Sequence, residues 1–353
     1  MPENAREITF ADAVQEATAE AMRDDESVIL YGLGVNDPGR VFGTTAGLVE
    51  EFGPERVFET PTAENAMTGI AVGAAIAGVK TIVTHQRFDF FLLAMDQLVN
   101  SAAKWRYMFG GQFEVPVVFR LITGRGWGQG PTHSQSYHSW LAHVPGLKVV
   151  MPSNALDAKA LLKASIEDPN PVVFIENRWL HQTTSLVTKG SEPGELGKSR
   201  VVAGGDSITI VAMGYGVVEA LRACNELKKL NIHCEVIDLR TLSPLDIQTI
   251  AESVTKTRRL LVVDLAPETG SIAHTIKTRV ESGFRPMELP YTGVLCGLDI
   301  PEPTSHGATM NFHVDAGAIF LKAQTILGSV SSIPNQLNSF PNDVPPQGAF
   351  GPF

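Results

Sequence analysis

Short apolar runs alternate with helix-patterned stretches along most of the chain, and that alternation restricts the fold more than any other feature. SerValIleLeuTyrGly (27–32), ArgValPheGluThr (56–60), ThrIleValThr (81–84), ValProValValPheArgLeu (115–121), LysValValMetPro (148–152) and ProValValPheIleGlu (171–176) read as strands. Helical stretches lie between them. Residues 8–23 carry a candidate N-cap at Thr9 and place Phe10, Ala13, Val14 and Ala17 on one face; residues 69–78, 91–106 and 155–166 complete the set. Strands that are apolar throughout suit a parallel sheet covered on both faces. The pattern predicts an α/β fold with a doubly wound parallel sheet.

Residues 177–206 lose this pattern, and LysGlySerGluProGlyGluLeuGlyLys (189–198) reads as a linker. The alternation then resumes, with strands over 207–213, 234–238 and 259–264 and helices over 216–230, 244–255 and 271–281. The expected organisation is a first domain over 1–188, a linker over 189–206, a second doubly wound domain over 207–328 and an extended or disordered tail over 329–353. A length of 353 residues agrees with two domains of roughly 150–200 residues each.

The net charge of −10 argues against a nucleic-acid surface, which requires a basic patch. The longest apolar stretch, 69–83, is too short for a membrane span and contains Lys80. Cys224, Cys234 and Cys296 show no paired spacing and fit reduced thiols, so a cytoplasmic location without disulfides is expected. The polar start of the chain shows no secretory signal. Hydrophobic residues reach 44% while charged residues stop at 19%, which is explained equally by a large interior or by surface buried against another subunit.

The fold class invites a dinucleotide test. GlyLeuGlyValAsnAsp (32–37) and GlyTyrGlyValValGlu (214–219) both lack the third glycine of the fingerprint, and no phosphate-binding GxxxxGK[ST] loop occurs.

Three segments can carry chemistry. ThrProThrAlaGluAsn (60–65) follows a strand and opens a helix. Glu64 is by default a first-turn carboxylate favoured by the helix dipole. The small apolar residues after it create dry surroundings, in which a carboxyl group can share a proton with a ring nitrogen. Phe88 and Phe90 are expected on opposite sides of an extended segment, one in the core and the other free to stack on a heteroaromatic ring; two core aromatics explain the spacing equally well. Glycines at 124, 126, 128 and 130 form a loop that runs into His133, a better acid–base candidate than an isolated histidine. His138 and His143 read as surface or supporting residues.

Taken together, ArgValPheGluThrProThrAlaGlu (56–64), AspGlnLeuValAsnSerAlaAlaLys (96–104), GlyGlyGlnPheGluValProValValPheArg (110–120), HisSerGln (133–135), HisValProGlyLeuLysValValMetPro (143–152) and ValIleAspLeuArgThrLeuSerProLeuAsp (236–246) resemble the beta subunits of thiamine-diphosphate-dependent 2-oxo-acid dehydrogenases. The resemblance runs from about residue 5 to about residue 300 and implies the pyrimidine-binding and C-terminal domains of transketolase. It implies that Glu64 hydrogen-bonds the cofactor's aminopyrimidine and promotes its imino tautomer, that Phe90 stacks on that ring, and that Thr62 and Gln86 line it. It gives His133 a part in acyl transfer. It places a potassium ion among Val117, Ser165, Ile166, Asp168 and Asn170, largely on backbone carbonyls.

The GlyAspGly…Asn motif that holds diphosphate and magnesium in such enzymes is missing from this sequence. In the family it belongs to the alpha subunit. The resemblance therefore implies an alpha partner, a second beta subunit in a tetramer of two alpha and two beta chains, and docking to a lipoyl acyltransferase. The sequence departs from the family at GlyLeuGlyVal (32–35), at His85 and Gln86, and at ProThrSerHisGlyAlaThrMetAsnPhe (303–312). Those departures keep two alternatives open, a thiamine-dependent carboligase subunit and a non-catalytic structural subunit.

Overall fold

The computed structural model describes residues 5–124, 129–188, 190, 192–285, 290–309 and 312–337. The chain forms two compact units, one within Met1–Gly124 and Trp140–Leu196, the other within Arg125–Ser139 and Gly197–Pro352.

The first unit opens with β1 (Ala5–Thr9) and α1 (Phe10–Asp24). Thr9 caps α1: its hydroxyl accepts from the Asp12 N–H at 3.0 Å while the Asp12 carboxylate accepts from the Thr9 N–H at 3.3 Å, a reciprocal capping box. Then follow β2 (Val28–Gly32), α2 (Leu48–Phe52), β3 (Val57–Glu59), α3 (Glu64–Ile76), β4 (Lys80–His85), α4 (Phe88–Phe91), α5 (Ala103–Met108), β5 (Val117–Thr123), α6 (His138–His143), β6 (Lys148–Val150), α7 (Ala155–Glu167), β7 (Val172–Asn177) and β8 (Thr184–Thr188). Strands β6-β7-β5-β4-β2-β3 are hydrogen-bonded in that order and run parallel. Every residue of β5 and β7 is buried, the expected state of a sheet covered on both faces.

Two helices outside the sheet carry a buried charge. α1 packs on α7, and Lys159 of α7, whose side chain is fully buried, places its ammonium 3.0 Å from Glu16 and 2.7 Å from Glu20.

The second unit contains β9 (Arg200–Ala203), β10 (Ile208–Ala212), α8 (Tyr215–Lys228), β11 (Cys234–Asp238), β12 (Thr241–Ser243), α9 (Ile247–Thr257), β13 (Arg259–Pro267), α10 (Ile272–Glu281), β14 (Tyr291–Gly297), α11 (His306–Thr309) and α12 (Ala316–Leu327). Its sheet runs β14-β13-β10-β11-β9, parallel except for β9. The core below it joins β10 and β11 to α8 and α12 through Ile210, Val236, Ala220 and Phe320.

Several expectations are corrected. Residues 200–203, inside the expected linker, form β9 antiparallel to β11. Residues 5–9 and 184–188 pair as an antiparallel ribbon that buries only Ile8 and Val187, so its apolar signal is weak. The segment expected to be extended at Phe88 and Phe90 is helical: β4 ends at His85 and α4 spans Phe88–Phe91. The helix expected over 91–106 is divided among α4, a 3₁₀ turn (Leu92–Ala94), a π-helical stretch (Gln97–Ala102) and α5. The expected tail begins too early: Ile333 and Leu337 pack into the second core. Residues 338–353 of that tail and residues 125–128 of the glycine-rich loop lie outside the described residues.

Candidate active site

The carboxyl ends of parallel strands are where open α/β sheets bind ligands, and the first unit places Thr62, Glu64, Gln86 and Phe90 at those ends. β3 ends at Glu59, and the chain passes Thr60 and Thr62 before α3 begins at Glu64. Glu64 is only 6% exposed, yet it has no hydrogen-bond or ion-pair partner among the described residues. The hydroxyls of Thr60 and Thr68, on either side of it in sequence, are also buried without a partner among those residues. A carboxylate in a first helical turn is normally solvated, and the dipole accounts for its position but not for its burial. Unpaired acceptors in a dry place fit a ligand that brings its own donors, as an aminopyrimidine does. Thr62 is exposed at the same turn.

α3 packs against α4 and the turn Leu92–Ala94, which brings the Phe90 segment beside the Glu64 helix. Phe88 is fully buried and Phe90 is 42% exposed. They do point apart, but not by strand alternation: two residues along a helix rotate by about 200°. Gln86 lies just past β4 and is already engaged. Its amide donates to Asp37 at 3.0 Å. It crosses Gly34, where an added Cβ would stand 1.7 Å from the Gln86 nitrogen and where φ is +80°, so the crossing requires glycine. The Glu59 carboxylate holds the same loop by accepting from the N–H groups of Gly34 at 2.7 Å and Asn36 at 3.0 Å. The sequence alone did not reveal that this loop is tied to Glu59 and Gln86.

Deeper in the sheet, Arg120 holds Glu176 with two nitrogens at 2.6 and 3.0 Å and Thr44 at 2.7 Å. His181 approaches the same carboxylate at 3.1 Å. Burial alone would raise the Glu176 carboxyl, but Arg120 and His181 outweigh it and bring it down to about 2. His85, at the end of β4, is buried with neither ring nitrogen partnered among the described residues, and burial pushes it down to about 3.

His133 belongs to the second unit. Its Nδ1 lies 3.1 Å from the Thr132 hydroxyl and its N–H donates to the Gly130 carbonyl at 3.4 Å. The segment that carries it ends on a buried pair that the sequence reading missed. His138 is 1% exposed and not at the surface. Its Nε2 stands 3.0 Å from Asp264 Oδ1, as an ion-pair approach rather than an aligned hydrogen bond. Its Nδ1 lies 2.8 Å from the Ser136 hydroxyl. The Ser271 hydroxyl donates to the other Asp264 oxygen at 2.6 Å, and the Ile272 N–H donates to Ser139 at 3.0 Å. A histidine five residues after an acid–base candidate was the available signal; its partner, 126 positions away, was not readable. His143 is exposed.

The expected potassium residues gather at the turn from α7 to β7. Ser165 and Ile166 lie in the last turn of α7, and Val118 pairs with Val172, which places Val117 beside the start of β7. Asp168 is occupied by Lys148 and by the Asn170 N–H and amide at 2.9 Å each. No group of three or more His, Cys, Asp or Glu side chains suited to a metal occurs among the described residues. No helix among them is long and apolar enough to cross a membrane.

Comparison with known proteins agrees with this layout. Residues 6–183 match the family "Transketolase, pyrimidine binding domain" and residues 197–319 match "Transketolase, C-terminal domain". The pyruvate dehydrogenase E1 component subunit beta of Rickettsia bellii (strain RML369-C) is 43% identical over 298 residues, 84% of this chain and 91% of that protein. The Rhizobium meliloti (strain 1021) protein of the same description is 42% identical over 84% of this chain, which spans only 65% of that longer protein. The mitochondrial subunit of Pisum sativum is 40% identical over 85% of both chains. Among solved structures, a "Split gene transketolase, inactive beta4 tetramer" superposes with a TM-score of 0.74 over 91% of this chain and 98% of its own at 20% identity, a likeness of fold. The chain thus belongs to the transketolase-like family that contains the beta subunits of 2-oxo-acid dehydrogenase E1 components.

Proposed function

We propose that this chain is the beta half of a thiamine-diphosphate-dependent enzyme that decarboxylates a 2-oxo acid and passes on the acyl group, and that it works with an alpha subunit that holds the diphosphate and magnesium. One observation carries the reading: Glu64 is a buried carboxylate without a partner among the described residues, at the mouth of a helix on the ligand-binding edge of the sheet. Its role is to accept a hydrogen bond from the aminopyrimidine ring and to hold the proton there, with the α3 dipole favouring the negative charge. Phe90 offers an exposed ring face for stacking, and Thr62 and Gln86 border the same edge. His133 supplies an imidazole for proton transfer on the acyl group, with its Nδ1 side tethered by Thr132. When bound, thiamine diphosphate supplies the electron sink for decarboxylation.

The surface of the first unit supports a partner. Ile70, Leu93, Tyr107, Met108, Phe109 and Phe113 are 64, 66, 89, 57, 42 and 39% exposed. We take these apolar side chains as part of the surface that meets an alpha chain and a second beta chain. Potassium belongs to the same proposal. With the Asp168 carboxylate already occupied, the carbonyls of the last α7 turn are the natural donors, and a thermal melt that rises in potassium but not in lithium tests it.

Glu64→Gln is the direct test. In the assembled alpha–beta enzyme it should cut turnover of 2-oxo acids by about 10²-fold or more while the oligomer stays intact. Retained turnover removes the role. An assembled complex that binds no thiamine diphosphate indicates a structural subunit, and preferred use of sugar or aldehyde acceptors over lipoamide indicates a carboligase.

A further inference from the structure

His133 is carried by a turn that the second unit holds at both ends. Gly130, Pro131, Thr132 and His133 form a β-turn: the Gly130 carbonyl accepts from the His133 N–H at 3.4 Å. Proline stands at the second position, where its fixed φ favours turning. Downstream, the approach of His138 to Asp264 and the bond from the Ile272 N–H to Ser139 tie the segment to β13 and α10. Upstream, the hold is at Gly130.

Gly130 is buried, although Pro131 and Thr132 beside it are exposed. A Cβ on Gly130 would stand 2.5 Å from Thr304 Oγ1, 3.6 Å from Thr304 Cβ and 3.8 Å from Thr304 Cα, at φ +70°. Thr304 therefore lies directly against the Gly130 backbone, and the contact requires glycine both for conformation and for space.

Thr304 is itself well placed to resist movement. Pro303 precedes it with a fixed φ. Ser305 follows and opens α11, its carbonyl accepting from the N–H groups of Ala308 and Thr309 at 3.0 and 3.2 Å. Thr309 is buried. Just before Pro303, the Glu302 carboxylate stands 3.4 Å from His313 Nε2, with both side chains largely buried. Thr304 lies in ProThrSerHis (303–306), within the stretch where the sequence departs from the resembled family.

We propose that Thr304 is a positioning residue for His133. Its side chain braces the first residue of the β-turn, and the turn fixes where the imidazole stands. The consequence for turnover rests on the proposed role of His133; the brace rests on the Gly130 contact. A segment in which this sequence departs from the family thus sets the place of the acid–base candidate.

The test is a double-mutant cycle in the assembled alpha–beta enzyme, with free lipoamide and the 2-oxo acid that it turns over fastest. Thr304→Gly should lower kcat about tenfold while KM changes less than about twofold. Thr304→Ser, which keeps Oγ1 against Gly130, should restore most of that loss. In a His133→Ala background Thr304→Gly should cost nothing further, because no imidazole is left to misplace. Amide exchange at His133, whose N–H closes the turn, should be faster in Thr304→Gly than in the wild type. Equal losses in both backgrounds, a Thr304→Ser variant as impaired as Thr304→Gly, or unchanged exchange at His133 overturns the positioning role. Full turnover in His133→Ala overturns instead the reading of His133, and exchange then decides whether Thr304 braces the turn. If Thr304→Gly does not assemble, Thr304→Ala, which also removes Oγ1, takes its place in every arm.

Discussion

His138 Nε2 and Asp264 Oδ1 stand 3.0 Å apart, with both residues at 1% exposure or less. The contact ties the segment that carries His133 to the carboxyl end of β13. Ser271 and the Ala266 N–H complete the coordination of the Asp264 carboxylate at 2.6 and 3.0 Å. Burial acts to raise the carboxyl, but His138 and these donors outweigh it, and the net shift is downward. A carboxylate depressed in the folded state stabilises the protein above its unfolded pKa of about 3.9, and that stability is lost as pH falls below it. Asp264→Asn should cost about 1–3 kcal/mol at neutral pH because it disrupts a buried carboxylate that His138, Ser271 and the Ala266 N–H hold together. It should also raise amide exchange over residues 133–139. Urea denaturation and hydrogen exchange check both. Unchanged exchange there removes the anchoring role even if global stability falls.

Lys159 gives an asymmetric prediction. Its ammonium is inaccessible to water, whereas the side chains of Glu16 and Glu20 keep 20% and 21% of their exposure. Glu20 is also served by Lys163 at 3.1 Å, and Glu16 by Arg6 at 2.5 Å. Lys159→Met therefore leaves two carboxylates that retain other cations and reach solvent, and should cost no more than about 1 kcal/mol. The double substitution Glu16→Gln with Glu20→Gln leaves a buried cation uncompensated and should cost about 3–5 kcal/mol. Denaturation midpoints of the two variants decide it; equal losses contradict the account.

The loop held by Glu59 supplies a third. Gly34→Ala puts a methyl group where the Gln86 amide lies and forces a side-chain residue to φ +80°. The backbone cost is about 1–2 kcal/mol, and overpacking adds about 1–3 kcal/mol. Displacing Gln86 also breaks its bond to Asp37. A Gln86→Ala variant that already lacks the obstructing amide should tolerate Gly34→Ala better, and a double-mutant cycle measures the difference. Additive losses show that the two residues do not meet.

Elements whose whole stability is written in local pattern were readable. β5 and β7 are continuous apolar runs, and α1 announces itself by Thr9 at its start; the Asn154 cap of α7 is a finding of the structure. Elements defined by a distant partner were not. β9 exists because β11 offers it an edge, β1 because β8 does. The stretch after β4 has good helical residues throughout, yet Asn100 and Ser101 donate to Asp96 at 2.7 Å and Gln97 at 3.3 Å inside the widened π-helical turn, and periodicity does not distinguish that turn from an α-helix. At the site, the position of Glu64 in a first helical turn is ordinary, and only the small apolar residues after it pointed to dry surroundings; its burial at 6% exposure is what the fold adds.

His85 is the final case. It closes β4 with its ring packed edge-on against Phe91 at 4.7 Å, and neither of its nitrogens finds a donor or acceptor among the described residues. Burial lowers its folded pKa to about 3, so only the unfolded chain takes up this proton between about pH 6.5 and 3. Stability should fall with acidification through that window at about 1.4 kcal/mol per pH unit from this group. His85→Phe keeps a flat ring against Phe91 and removes two unsatisfied buried nitrogens, so it should stabilise the protein by about 1–3 kcal/mol at neutral pH. The variant should also lose this part of the acid sensitivity, with the gap between its unfolding free energy and that of the wild type widening steadily from pH 6 to pH 4. Urea titrations at several pH values measure that gap directly. A constant gap across the range means that the imidazole is protonated, or hydrated, within the folded chain.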